Sequence, residues 1–101
     1  MAARAPKHLR APTAAWFRRV VAGYDLDEHH VRLLTLAGEA FDRASEAREL
    51  VEAEGIVFSN RFGELRPHPA VGIERDSRIG FARLVRQLDL ADEPGSLRGD
   101  R

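Results

Sequence analysis

The sequence predicts a mainly α fold with one small β-hairpin, an α+β chain ordered helix–helix–hairpin–helix. Two observations predict it. Apolar and alanine positions repeat at helical spacing from Asp27 to Gly55, and a short β-prone run with a glycine turn separates that stretch from a second, proline-started helical stretch. A chain of 101 residues is one domain. The expected organisation is a flexible basic arm over 1–12, a helical core over 13–90 with the hairpin at about 56–66, and a flexible tail over 91–101.

Element by element, the opening MAARAPKHLRAP mixes alanine and basic residues with Pro6 and Pro12 and shows no apolar period, hence the arm. Thr13 is a candidate cap for a short first helix to about Val21, whose Trp16, Phe17, Val20 and Val21 share one face. That helix is too short to stand alone, so Trp16 is expected to anchor it on the second helix. Asp27 suits the N-cap of a long second helix over 28–54, with Glu28 in its first turn and Gly55 beyond its end. Leu33, Ala37, Ala40, Phe41, Ala44, Ala47 and Val51 form a stripe rich in small residues that invites another helix to approach closely. Glu39, Asp42, Glu46 and Glu49 should face water or a basic neighbour.

Ile56–Ser59 reads as a strand, Asn60–Gly63 as its turn and Glu64–Arg66 as the return. A hairpin this small must lie on helices or pair with another subunit, with Phe58 and Phe62 as its contacts. Pro67 and Pro69 keep Arg66 and His68 out of helical geometry, and Pro69 suits the first turn of a third helix. There Ala70, Ile73, Ser77, Phe81, Leu84, Val85 and Leu88 share a broad face, with Arg75, Arg78, Arg83 and Arg86 roughly opposite. Ile79 among these arginines is a candidate oligomer contact, and Gly80 suggests that another element approaches closely.

Net charge is zero, but its distribution is uneven. Arg4, Lys7, Arg10, Arg18 and Arg19 give residues 1–20 a charge of +5 without an acid, and residues 21–60 carry −6. The next stretch, 61–88, holds six arginines against three acids. Such a pattern fits arginines that solvate helix ends, basic and acidic regions of neighbouring copies facing one another, or an arm that holds nucleic-acid phosphate without reading bases.

Little in the chain suits bond chemistry. Without cysteine there is no thiolate nucleophile or thiolate metal site, and the composition suits a reducing cytosol. No apolar run approaches the roughly 20 residues of a membrane span, and no signal-peptide core opens the chain. His29 and His30 lie about 100° apart on a helix, poor for joint ligation, so no metal or other cofactor is expected. There is no glycine-rich phosphate loop. Glu74 and Asp76, spaced by two, fall on different helix faces, where pairing with adjacent arginines is the simpler account than a catalytic pair. An enzyme using Glu74, Asp76 or His68 is the weakest reading.

The segment GIVFSNRFGELRPHPAV followed by FARLVRQLDL, preceded by Trp16 and the region around Phe41 and Arg43, resembles the P27 family of phage terminase small subunits over about residues 13–92. The resemblance rests on the order of Glu54-Gly55, Gly63, His68-Pro69 and Leu88-Asp89-Leu90. It implies a non-catalytic packaging protein in a bacterial host cell, from a phage or prophage, that forms a homo-oligomeric ring. It also implies binding of double-stranded viral DNA and its presentation to a large subunit carrying the ATPase and nuclease. The tail ADEPGSLR departs from the family's continuation after the LxL-like element, which puts docking to the large subunit in question. The alternative is a small helical oligomerisation or regulatory protein. Candidate DNA-contacting residues are Arg4, Lys7, Arg10, Arg18 and Arg19, with Arg75, Arg78, Arg83 and Arg86 as a second surface. Phe58, Phe62 and Ile79 are candidate oligomer contacts.

Overall fold

A computed structural model describes residues 3–90, so the expected tail over 91–101 lies outside the described residues. The elements are α1 (Ala11–Gly23), α2 (Glu28–Glu54), β1 (Val57–Ser59), β2 (Leu65–Pro67) and α3 (Pro69–Leu88). This is the expected mainly α chain with one antiparallel hairpin, in register Val57↔Pro67, Phe58↔Arg66 and Ser59↔Leu65. Among the described residues, no helix is long and apolar enough to cross a membrane.

Helices α2 and α3 run against each other along the small side chains of α2, where Ala37, Ala40, Ala44 and Ala47 are buried opposite Ala70 and Ser77. Small side chains on both sides let the two backbones approach closely. One end of this pair is closed by α1 and the segment before it, giving a core of Leu9, Ala14, Phe17, Val20, Leu34 and Leu88. Leu34, fully buried, takes the core position expected for Leu33, which is only partly buried. Adjacent leucines 100° apart cannot be ranked until the direction of α1 is known.

The start of α1 also differs from expectation. The helix begins at Ala11 with Arg10 as N-cap, and Thr13 lies inside it, 4% exposed. Arg10 offers no capping oxygen, and the first turn of α1 contains no acid. Asp42 of α2 supplies both: its carboxylate accepts from the Arg10 backbone N–H at 2.8 Å and from the Thr13 hydroxyl at 2.6 Å. A carboxylate at the positive end of a helix, drawn from another element, replaces the missing local cap. Asp42 is therefore buried, contrary to the expectation that it faces water. Gly38, one turn earlier, makes room for this docking, since a Cβ there would lie 3.1 Å from Leu9 Cδ1 and 3.3 Å from Thr13 Cγ2. The segment 3–10, expected as a flexible arm, lies against α2 with Leu9 buried.

Trp16 also finds a different partner. Its ring lies 5.8 Å from that of Phe81 on α3, and Phe81 meets Phe41 of α2 edge-on at 5.2 Å. Trp16 thus ties α1 to the third helix as well as closing on the second. Gly80 has open space where a Cβ would stand, so no element approaches it closely.

The hairpin turns on Asn60, whose side-chain oxygen accepts from the backbone N–H groups of Phe62 and Glu64. Gly63 takes φ 80°, the left-handed residue of a three-residue hairpin loop. His68 joins three elements. Its Nδ1 accepts from the Ala70 N–H to cap α3, so the Nε2 proton donates to Glu54 at the end of α2, and its backbone N–H bonds Ile56 O. Both strands are exposed along their length, so the hairpin is held at its base and does not lie on the helices.

Candidate nucleic-acid interface

The two basic regions separate into paired and unpaired cations. Arg10 is committed to α2: its guanidinium donates to both Glu49 oxygens at 2.7 and 3.0 Å and lies 4.0 Å from Glu46. That hydrogen bond raises the Arg10 pKa and holds the Glu49 carboxyl below its ordinary range, partial desolvation opposing both shifts. Nearby His8 meets Glu39 at 2.8 Å. The acidic face of α2 finds its basic neighbour within the same chain.

On α3, Arg75 pairs with Asp76 at 3.2 Å. Arg78 lies 4.0 Å from Glu74, which Arg48 also approaches at 3.9 Å. These contacts give Glu74 and Asp76 structural partners of opposite charge, and His68 is a helix cap. Exposed pairs of this kind contribute little to stability, but they lower the charge available to an anion.

The remaining candidates are different. Arg4, Lys7, Arg18, Arg19, Arg83 and Arg86 are all exposed, and among the described residues no acid lies within ion-pair distance of them. The segments that carry these six meet at one end. Ala3 and Ala5 pack on the core cluster, α1 contributes Phe17 and Val20 to it, and the last turn of α3 contributes Leu88. Arg86 also complements the negative end of α3. The same end carries Asp25, Asp27, Glu28 and Asp89, with Glu28 bonded to Arg32 at 2.9 Å. Arg43 and Arg61 are exposed without an acid in ion-pair range among the described residues, but lie elsewhere, on α2 and at the hairpin tip.

Of the candidate oligomer contacts, Phe62 is 72% exposed at the hairpin tip beneath the Arg61 guanidinium, whose carbon stands 4.9 Å from the ring centre. Phe58 packs edge-on to His68 yet remains exposed, and Ile79 is exposed beside Arg75, Arg78 and Ala82.

One grouping is not among the candidates the sequence offers. Asp27, His29 and His30 place a potential ligand atom each within 4.8 Å of one another. His30 Nδ1 accepts from the Asp27 backbone N–H at 3.3 Å, which occupies that nitrogen in capping α2. The positive helix end also opposes a cation there. The signal was legible in Asp27 standing three residues before His30, the spacing at which a side chain reaches back to the cap.

Compared with protein-family models, curated proteins and solved structures, the chain matches none.

Proposed function

We propose that this protein is a non-catalytic DNA-binding assembly protein, a terminase small subunit of the kind its sequence resembles. In this reading, copies associate, hold double-stranded viral DNA through phosphate contacts, and present it to a large ATPase–nuclease subunit. The observation that carries it is the gathering of Arg4, Lys7, Arg18, Arg19, Arg83 and Arg86, exposed and without acidic partners among the described residues, around the α1 end of the molecule. Cations already neutralised by carboxylates release few counterions from DNA, whereas free ones contribute fully to salt-dependent affinity. The candidate set is thereby narrowed: Arg10, Arg75 and Arg78 are engaged within the chain. Phosphate recognition positions a duplex without reading its sequence.

A second reading, a helical oligomerisation or regulatory protein that binds no DNA, is favoured by the apolar residues exposed on the hairpin. Light scattering and duplex binding at 50 and 200 mM salt separate the two. Six phosphate contacts would cost about 10³-fold in affinity across that range. Neutralising the six free cations should flatten the dependence, and neutralising Arg10, Arg75 and Arg78 should leave most of it. An assembly without duplex binding would leave the second reading standing.

A further inference from the structure

Two apolar features of this chain are left open and do not meet within one copy. The first is a cavity of about 250 Å³ lined by Pro12, Thr13, Trp16, Phe41 and Phe81. Its polar groups are the Thr13 hydroxyl, which already donates its proton to Asp42, and the Trp16 indole N–H, so the lining is mainly apolar. An aromatic ring fits it easily, since an apolar cavity of about 150 Å³ accommodates benzene. The second feature is the hairpin, where Ile56, Val57, Phe58, Phe62 and Leu65 are 64, 48, 42, 72 and 72% exposed.

The register puts Val57 and Leu65 on one face and Ile56 and Phe58 on the other, so with Phe62 at the tip each face exposes on the order of 350–400 Å², taking about 200 Å² for a large side chain. One face is an ordinary largest apolar patch of a monomer, and about half of the roughly 800 Å² that each partner buries in a stable complex. The occupant is a second copy of this chain because each feature supplies what the other lacks. The hairpin stays clear of its own cavity: Phe41 lies 13 residues before the end of α2 at Glu54, about 20 Å along the helix, His68 fixes the hairpin's base beyond that end, and both strands are exposed.

We propose that the hairpin of one copy seats Phe62 in the Trp16–Phe41–Phe81 cavity of the next. The proposal rests on the assembly part of the function proposed above and names the surfaces that build it. Such a contact joins two different patches, so it propagates head to tail and either closes into a ring or continues as an open chain. It is not limited to a dimer.

The test uses two properties of the sequence: Trp16 is the only tryptophan, and there is no cysteine. Dilution of the wild type should shift tryptophan emission to the red as the cavity opens to water. Phe62→Asp should give the red-shifted emission at every concentration and a monomer mass by light scattering, with an unchanged helical circular dichroism spectrum. Arg61→Cys and Pro12→Cys, mixed and treated with a short bis-maleimide, should crosslink as heterodimers that neither variant forms alone. An assembly that survives Phe62→Asp, or a crosslink that joins the Arg61→Cys variant only to itself, overturns the contact and leaves assembly standing. A wild type that is monomeric at all concentrations overturns both. Failure of duplex binding in an intact assembly overturns the DNA reading alone.

Discussion

Replacing Asp42 with alanine is expected to cost about 3 kcal/mol, and the figure follows from what its carboxylate touches. Asp42 is 9% exposed and accepts two bonds, from the Arg10 backbone N–H at 2.8 Å and the Thr13 hydroxyl at 2.6 Å. Hydrogen bonds to a charged group contribute about 1.5–3 kcal/mol each. The lower end applies here because water can reach partly exposed Arg10, while Thr13, 4% exposed, is left with a buried donor. A carboxylate at a helix N-terminus adds roughly 0.3–1 kcal/mol. For a domain of this size, about 3 kcal/mol lowers the midpoint of thermal unfolding by roughly 12–24 °C. Denaturant titration of Asp42→Ala, Asp42→Asn and Thr13→Val, with the Thr13→Val/Asp42→Ala double variant, resolves the parts. Asp42→Asn keeps the shape and a bond to the hydroxyl and should lose about 1–1.5 kcal/mol. The double variant should be more stable than the summed single losses imply by at least about 1 kcal/mol, because the partners share one interaction. An Asp42→Ala loss within about 0.5 kcal/mol, the range of an ordinary surface change, would refute the trans-cap.

Three further outcomes test the packing and the charge pairing. Gly38→Ala removes a helix-interior glycine, a gain of about 1 kcal/mol, but sets a Cβ 3.1 Å from Leu9 Cδ1. It should therefore be near neutral in the wild type and stabilising in a Leu9→Ala background by up to about 1 kcal/mol, less what the remaining 3.3 Å approach to Thr13 Cγ2 costs, and equal effects in both backgrounds would dismiss the close approach to Leu9. Phe81→Leu should cost about 1–2 kcal/mol by breaking both aromatic contacts and should shift the emission of Trp16; an unchanged spectrum would separate the rings. The Glu49 carboxyl is held below its ordinary value by Arg10, so the pair's contribution is present above the unfolded-state pKa and is lost as pH falls through the lower folded one. An NMR titration should show Glu49 returning to the ordinary carboxylate range in Arg10→Gln, and an unmoved midpoint would show that the pair is not formed.

How much of this was legible in the sequence depends on how local each signal is. Gly55, expected at the end of α2, and Gly63, expected in the hairpin turn, both take positive φ, and Pro69 opens α3 as expected, because each of these is decided by a few adjacent residues. Asp42 reads as one more member of an acidic face because periodicity names a stripe without saying what will lie across it. Its burial follows from Thr13 and Arg10, 29 and 32 residues away. For the same reason the basic run near the N-terminus reads as uniform, although Arg10 is paired and Arg4, Lys7, Arg18 and Arg19 have no acid in ion-pair range among the described residues. The hairpin's apolar residues are legible in the sequence, but their exposure is not, since alternation in a strand does not show whether anything stands opposite.

The origin of the α1 cap in α2 bears on the order in which the chain becomes ordered. Ribosomes release α1 first, but at 13 residues it is marginal as an isolated helix, and its start signal arrives only with Asp42. In a nascent chain α1 must therefore wait for α2. A product truncated before residue 42 would carry Arg4, Lys7, Arg18 and Arg19 on a strand of backbone with nothing to hold them in place, and a peptide of that stretch is a poor stand-in for the surface it forms in the whole protein.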